Sequence, residues 1–211
     1  MVKTKMTAGR KRRNSDDVRA DILSHATALF AEHGYAAVTV RDISKASNVP
    51  MSGIYRYFKD KEHLHDECEL TAFKQAGEVI YEGVNKDLET EELVFSITRN
   101  LCSVHSNNDN VSILLLRLME EGNTAILQRI SDSVISPPAG LLLEKLEKLS
   151  SKRTPTQNLY SIYAMSFGFA RLGFLRETLD WQLEELQTPD HAAVFILGIL
   201  FPRKNWSRFL K

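Results

Sequence analysis

The chain has 211 residues, 43% of them hydrophobic, and its 27 basic side chains are balanced by 27 acidic ones. That apolar content is ample for a packed core in one large or two small domains, and no run approaches the roughly 18 apolar residues of a membrane span. The start of the chain lacks an apolar signal segment, and its two cysteines, Cys68 and Cys102, form no metal or redox spacing. The expectation is a soluble cytoplasmic protein with free thiols, no metal and no cofactor.

Formal neutrality conceals an asymmetry. Residues 1–61 hold twelve Lys and Arg against six Asp and Glu, whereas the other 150 residues hold fifteen against twenty-one. A polyanion-seeking end on an acidic body is the charge pattern of a DNA-binding domain joined to a module with another task.

Residues 1–14, MVKTKMTAGRKRRN, are basic and without periodicity, and read as a disordered arm. The cluster Arg10-Lys11-Arg12-Arg13 is suited to lie along phosphates or in a minor groove; the alternative is a solvated tail. A first helix is expected after Ser15, with the hydroxyl as cap and Asp16 and Asp17 in the first turn. Val18, Ile22, Ala26, Leu29 and Phe30 repeat at helical spacing, and Gly34 supplies a stop.

The stretch Val38–Lys61 reads as two short helices joined by a tight turn, followed by the start of another helix. Thr39 with Asp42 forms a carboxylate variant of the capping box. Ile43 and Ala46 give the first of these helices an apolar face. Asn48 suits a left-handed turn, and Pro50 suits the first turn of the next helix. Ile54 and Phe58, four apart, are its buried stripe. Met51, Ser52, Gly53, Tyr55, Arg56 and Tyr57 remain outside: small residues, two tyrosines and an arginine, with no acid. Such a face beside backbone donors suits a DNA major groove, whereas an ordinary solvated face would be rich in Glu and Lys.

Phe30, Gly34-Tyr35, Thr39-Val40-Arg41-Asp42-Ile43 and Ile54-Tyr55-Arg56-Tyr57-Phe58, followed by Lys61, resemble the DNA-binding domain of the TetR family of bacterial transcriptional regulators. The likeness covers about residues 15–65. Asn48 stands where that family commonly has glycine, Pro50 where it often has serine, and Ser52-Gly53 where it often has glycine followed by threonine or serine. The resemblance implies an N-terminal three-helix helix-turn-helix domain over 15–62 and a larger helical ligand-binding and dimerisation domain over 63–211. It maps the family's backbone-contacting tyrosine onto Tyr55 and its helix-starting lysine onto Lys61. Thr39 and Arg41 are further phosphate candidates, with Thr39 also serving as a cap. Arg56, Ser52 and Gly53 are placed to meet base edges.

The fourth helix continues through Leu64, Cys68, Thr71, Ala72, Gln75 and Val79 to about Tyr81. His63 and His65 are two apart and face different sides of a helix, so they read as solvated histidines beside a half-buried thiol. Further helices are expected near 90–105, 109–121, 123–149 with a break near Pro137-Pro138, 155–180 and 189–201, which makes the chain all-α. Gly168 and Gly173 in the long apolar helix suggest close helix approach. By resemblance, the helices near 155–180 and 189–201 form a homodimer interface, and two heads would meet a palindromic operator.

In this family a ligand enters a cavity among the middle helices. Phe95, His105, Met119, Tyr163, Phe167 and Arg171 are the candidate lining residues, with plain core packing as the alternative for each. No phosphate-cradling glycine loop, nucleophile motif or metal-ligand constellation points to an enzyme. The expected function is a DNA-binding transcriptional regulator: a homodimeric repressor released from its operator by an unidentified small molecule. The alternative is a ligand-independent architectural DNA-binding protein, or an activator, on the same fold.

Overall fold

Helices are the regular elements of the computed structural model, which describes residues 14–82, 84, 85, 87–107, 110, 113, 114, 117, 118, 122–178 and 188–210. Among these residues there is no strand, and no helix is long and apolar enough to cross a membrane. Most of the basic arm and most of the helix expected over 109–121 lie outside them. The chain divides into two compact units, Met1–Cys68 and Glu69–Lys211.

In the first unit, α1 runs over Ser15–His33, α2 over Val40–Ser47 and α3 over Met51–Ile54, and α4 begins at Lys61. Ile22, Leu23, Ala26, Phe30 and Ala31 line the buried side of α1. Val18 and Leu29, at the margins of that stripe, are only half-buried. The Ser15 hydroxyl does not cap α1: Asn14 precedes the helix without a side-chain cap, and Ser15 Oγ lies 3.1 Å from the Tyr57 hydroxyl. Gly34 ends the helix at φ 80°, its N–H donating to Phe30 O over 2.9 Å, in a backbone region that favours glycine.

Thr39 opens α2 with a complete capping box. Asp42 N–H donates to Thr39 Oγ1, and Thr39 N–H donates to Asp42 Oδ2. The buried face of α2 is Ile43 with Ser47, whereas Ala46 is exposed. Ser47 lies one helical turn from Ile43, and its hydroxyl donates to Ile43 O at 2.7 Å, which satisfies this polar group away from water. Asn48 takes φ 53°, ψ 35°, the left-handed conformation its type tolerates, and Ser44 Oγ ties the turn by donating to Val49 O.

The helix after the turn is shorter than its periodicity suggests. It ends at Ile54, and residues 55–57 form a turn. Phe58 N–H still donates to Ile54 O at 3.0 Å, so Ile54 and Phe58 keep one-turn spacing and both are buried.

The second unit holds the remainder of α4, to Ile80, then α5 (Thr90–Asn107), α6 (Thr124–Ile130), a π-helical segment (Ser131–Ile135), α7 (Ser136–Glu147), α8 (Pro155–Thr178) and α9 (Pro189–Leu200). The break expected near the prolines is the π segment just before them. Pro137 and Pro138 then fall in the first turn of α7, where a missing N–H costs least. Leu93, Ile97 and Leu101 of α5, Leu142 and Leu146 of α7, Ile162 of α8, and Ile196, Leu197 and Leu200 of α9 share one core.

Polar side chains pin the ends of these helices. The amide nitrogen of Asn100, buried on α5, donates to Ile80 O at 3.0 Å and Glu82 O at 3.3 Å, while its oxygen accepts from Arg99 Nε and Nη2. Thr154 and Gln157 form a reciprocal cap on α8. After α9 the chain folds back: Trp206 is buried, Phe209 stacks on Phe95 at 4.7 Å, and Lys204 and Arg208 both reach Glu91.

Candidate nucleic-acid interface

The local sequence of α3 separates packing from display. Ile54 and Phe58 point into the core of the first unit, while Met51 is 46% and Tyr55 52% exposed, large fractions for such side chains. Ser52 and Arg56 are exposed beside them, and Arg41 stands exposed on α2. Arg41, Met51, Ser52, Tyr55 and Arg56 thus combine a charged, a polar and an amphipathic surface with no carboxylate of their own, which is chemistry fit for phosphates and base edges.

Four other candidates have structural duties. A Cβ on Gly53 would lie 2.9 Å from Val49 Cγ1, so its smallness serves the close approach of α3 to the turn. Its N–H and that of Ile54 both donate to Pro50 O, so those donors are used inside the segment. Tyr57 turns its hydroxyl to Ser15. Thr39 is engaged in its capping box, which holds the Asp42 carboxyl below its usual range mainly through the Thr39 hydroxyl. Lys61, half-buried at the start of α4, sets Nζ 4.1 Å from the centre of the Tyr35 ring.

The histidines differ from expectation. His63 is exposed, its backbone N–H accepted by Asp60 Oδ1, but His65 is buried between Phe30 and Tyr35 at ring-centroid distances of 4.7 and 5.0 Å. Burial, with Lys61 nearby, lowers its pKa to about 4. Cys68 is fully rather than half buried, and its thiol faces Leu23 O. On the neighbouring α1, Arg19 pairs with Glu67 at 2.8 Å and lies over Phe58.

Residues 22–68 match the family model for bacterial regulatory proteins, tetR family. Over those residues the chain carries a domain of the TetR-family type. Of its curated relatives, the HTH-type regulator YhgD of Bacillus subtilis is 28% identical over 125 residues, which is 58% of this chain and 65% of that one. The repressor KstR2 of Rhodococcus jostii is 32% identical over 92 residues, 42% of this chain and 45% of its own. The chain therefore spans less than two thirds of the length of each of these relatives. The structure of FadR from Bacillus subtilis, solved with stearoyl-CoA, shares the fold at a TM-score of 0.65, with 17% identity over 85% of this chain and 97% of that one. The likeness to this solved structure reaches into the helical body as fold alone, while the family model matches only the head.

Within the body, the candidate lining residues are dispersed in role. Phe95 is buried and stacked on Phe209, a core position. Tyr163 and Phe167 are half-buried on α8. The Tyr163 hydroxyl lies 3.4 Å from that of Tyr81, a partner the sequence pattern did not single out, and burial raises the pKa of both. The side chains of His105 and Arg171, and all of Met119, lie outside the described residues.

Proposed function

We propose that this protein is a TetR-family regulator, a homodimeric transcriptional repressor that binds a palindromic operator and is released by a small-molecule effector. The observation that carries the reading is the division of one short segment, with Ile54 and Phe58 buried and Met51, Ser52, Tyr55 and Arg56 displayed, on the basic end of the chain. Tyr55 and Lys61 hold the DNA backbone, with Arg41 beside them, and Arg56 reads bases. Thr39, Gly53 and Tyr57 shape the unit that presents them.

Dimerisation through α8 and α9 is supported by Tyr160 (76% exposed), Phe195 (46%) and Ile199 (45%), large apolar side chains left exposed among the described residues. A Cβ on Gly168 would meet nothing within 4 Å among the described residues, so they do not make the close approach its sequence position suggests. In this reading the effector enters among the middle helices near Tyr163 and Phe167, both half-buried on α8. Long-chain acyl-CoA, as in the FadR complex, is the first ligand class to test.

Selection of genomic fragments by the purified full-length protein tests the reading. A palindromic site is expected. Tyr55→Phe and Lys61→Ala should weaken binding alike on different sequences, with Lys61→Ala also flattening the salt dependence, whereas Arg56→Ala should alter sequence preference. Uniform, salt-sensitive binding without a motif would replace the repressor with an architectural protein, and no binding at moderate salt would end the nucleic-acid reading.

A further inference from the structure

A cleft of about 520 Å³ opens between the α7–α8 connection and the end of α9. Leu146, Leu149 and Leu200 are buried in its floor, and Lys152, Arg153 and Arg203 stand exposed at its rim. The neighbouring cations are already engaged. Lys204 and Arg208 pair with Glu91, Lys148 pairs with Glu144, and Lys145 donates to Leu88 O. Lys152, Arg153 and Arg203 make no ion pair among the described residues, and a single carboxylate, Glu147, also lines the cleft. Among the described residues, three positive charges without an ion pair and one carboxylate therefore share one concavity, on a body that is acidic as a whole.

The cleft is also tied in place. Ser151 Oγ is 3.4 Å from both Asn158 Oδ1 and Leu200 O and accepts the Arg153 N–H, which links the connection to α8 and α9. At the N-terminus of α8, Thr154 and Gln157 cap each other, and the Asn158 N–H donates to Thr154 O. The attraction belongs to the side chains. A small molecule of nucleotide size fits the volume, and phosphate groups suit a guanidinium pair with an ammonium beside it.

We propose that this cleft binds a small molecule bearing two or more adjacent phosphate groups. The site is distinct from the operator surface and stands whether or not the operator reading does. Like charges held around one concavity repel until an anion enters, so the site discriminates by charge more than by shape.

Calorimetric titration of the full-length protein with pyrophosphate, ADP and adenosine tests this. Pyrophosphate and ADP should bind once per chain and adenosine should not. Tighter ADP binding would indicate a nucleotide, and equal binding a free polyphosphate. Arg203→Ala, an exposed position, should weaken binding about tenfold, the loss expected for one charge-assisted contact. Lys148→Ala, which removes a cation already paired with Glu144, should leave the constant unchanged. The paired change Arg12→Ala and Arg13→Ala is the control for the basic arm. Absence of binding, or binding lost with the arm and retained in Arg203→Ala, would overturn the proposal. So would an Arg203→Ala protein that sediments as a smaller species with unchanged pyrophosphate binding, which would assign these cations to a contact between copies.

Discussion

A methyl group on Gly53 would sit 2.9 Å from Val49 Cγ1, closer than real Cβ contacts come. Val49 is β-branched and buried, so it has little room to yield. Gly53→Ala should therefore destabilise the first unit by about 1–3 kcal/mol, as overpacking does elsewhere. Ser52→Ala, one residue away and exposed, should leave thermal melting unchanged. Equal melting of both variants would return Gly53 to a direct role at the DNA.

His65 gives the first unit an acid-sensitive stability. Unfolded, it takes up a proton near its ordinary value of 6.5; folded, it resists until about 4. The unfolded state thus binds more protons between these values, and stability falls as pH drops from 6.5 towards 4. The slope reaches at most about 1.4 kcal/mol per pH unit. Urea melts of the wild type and His65→Phe across that window should differ in slope, with the variant flatter. Parallel curves would show that other groups carry the acid sensitivity.

Asn100 uses its whole amide: the nitrogen on Ile80 O and Glu82 O, the oxygen on Arg99. Asn100→Ala leaves the Ile80 and Glu82 carbonyls without their side-chain donor and should cost about 0.5–1.5 kcal/mol for each hydrogen bond lost. Hydrogen exchange should localise the loss to residues around Ile80. A uniform rise in exchange over α5 and α7 instead would make Asn100 a general core position.

Glu91 accepts from Lys204 and Arg208, and the Lys204 hydrogen bond foremost holds its carboxyl below the ordinary range. Its contribution is present at neutral pH and is lost as pH falls through that lowered value. Glu91→Gln should speed proteolysis of the segment after α9 at neutral pH, while wild type and variant converge in acid. Identical cleavage rates at neutral pH would show that the Phe95–Phe209 stack alone holds the tail.

The sequence made the head legible because its signals are local. The Thr39 and Asp42 cap, the Asn48 turn, the Gly34 stop and the Ile54 and Phe58 pair all act within a few residues. Burial of Ser47 and His65 was not legible, since each depends on a partner that hydrophobic pattern does not register: a carbonyl one turn back for Ser47, and two aromatic rings for His65. In sequence Gly53 reads as a surface residue, because its close approach to Val49 exists only once the turn has folded. In the body, helix positions followed from periodicity and turn residues. The Tyr81–Tyr163 pair, 82 residues apart, and the cleft assembled from residues near 150 and 200 join distant segments that no window of sequence contains.

The four-residue α3 also bears on how such a protein changes its target. Ile54 and Gly53 anchor it, whereas Met51, Ser52, Tyr55 and Arg56 take little part in the core. Substitutions at Met51, Ser52 and Arg56 are thus nearly free of folding cost, and under the proposed reading a lineage can drift in the sites it reads while Tyr55 keeps its hold on the backbone and the scaffold stays under purifying constraint. A library randomised there, with the anchors kept, should consist mostly of folded members that differ in what they recognise.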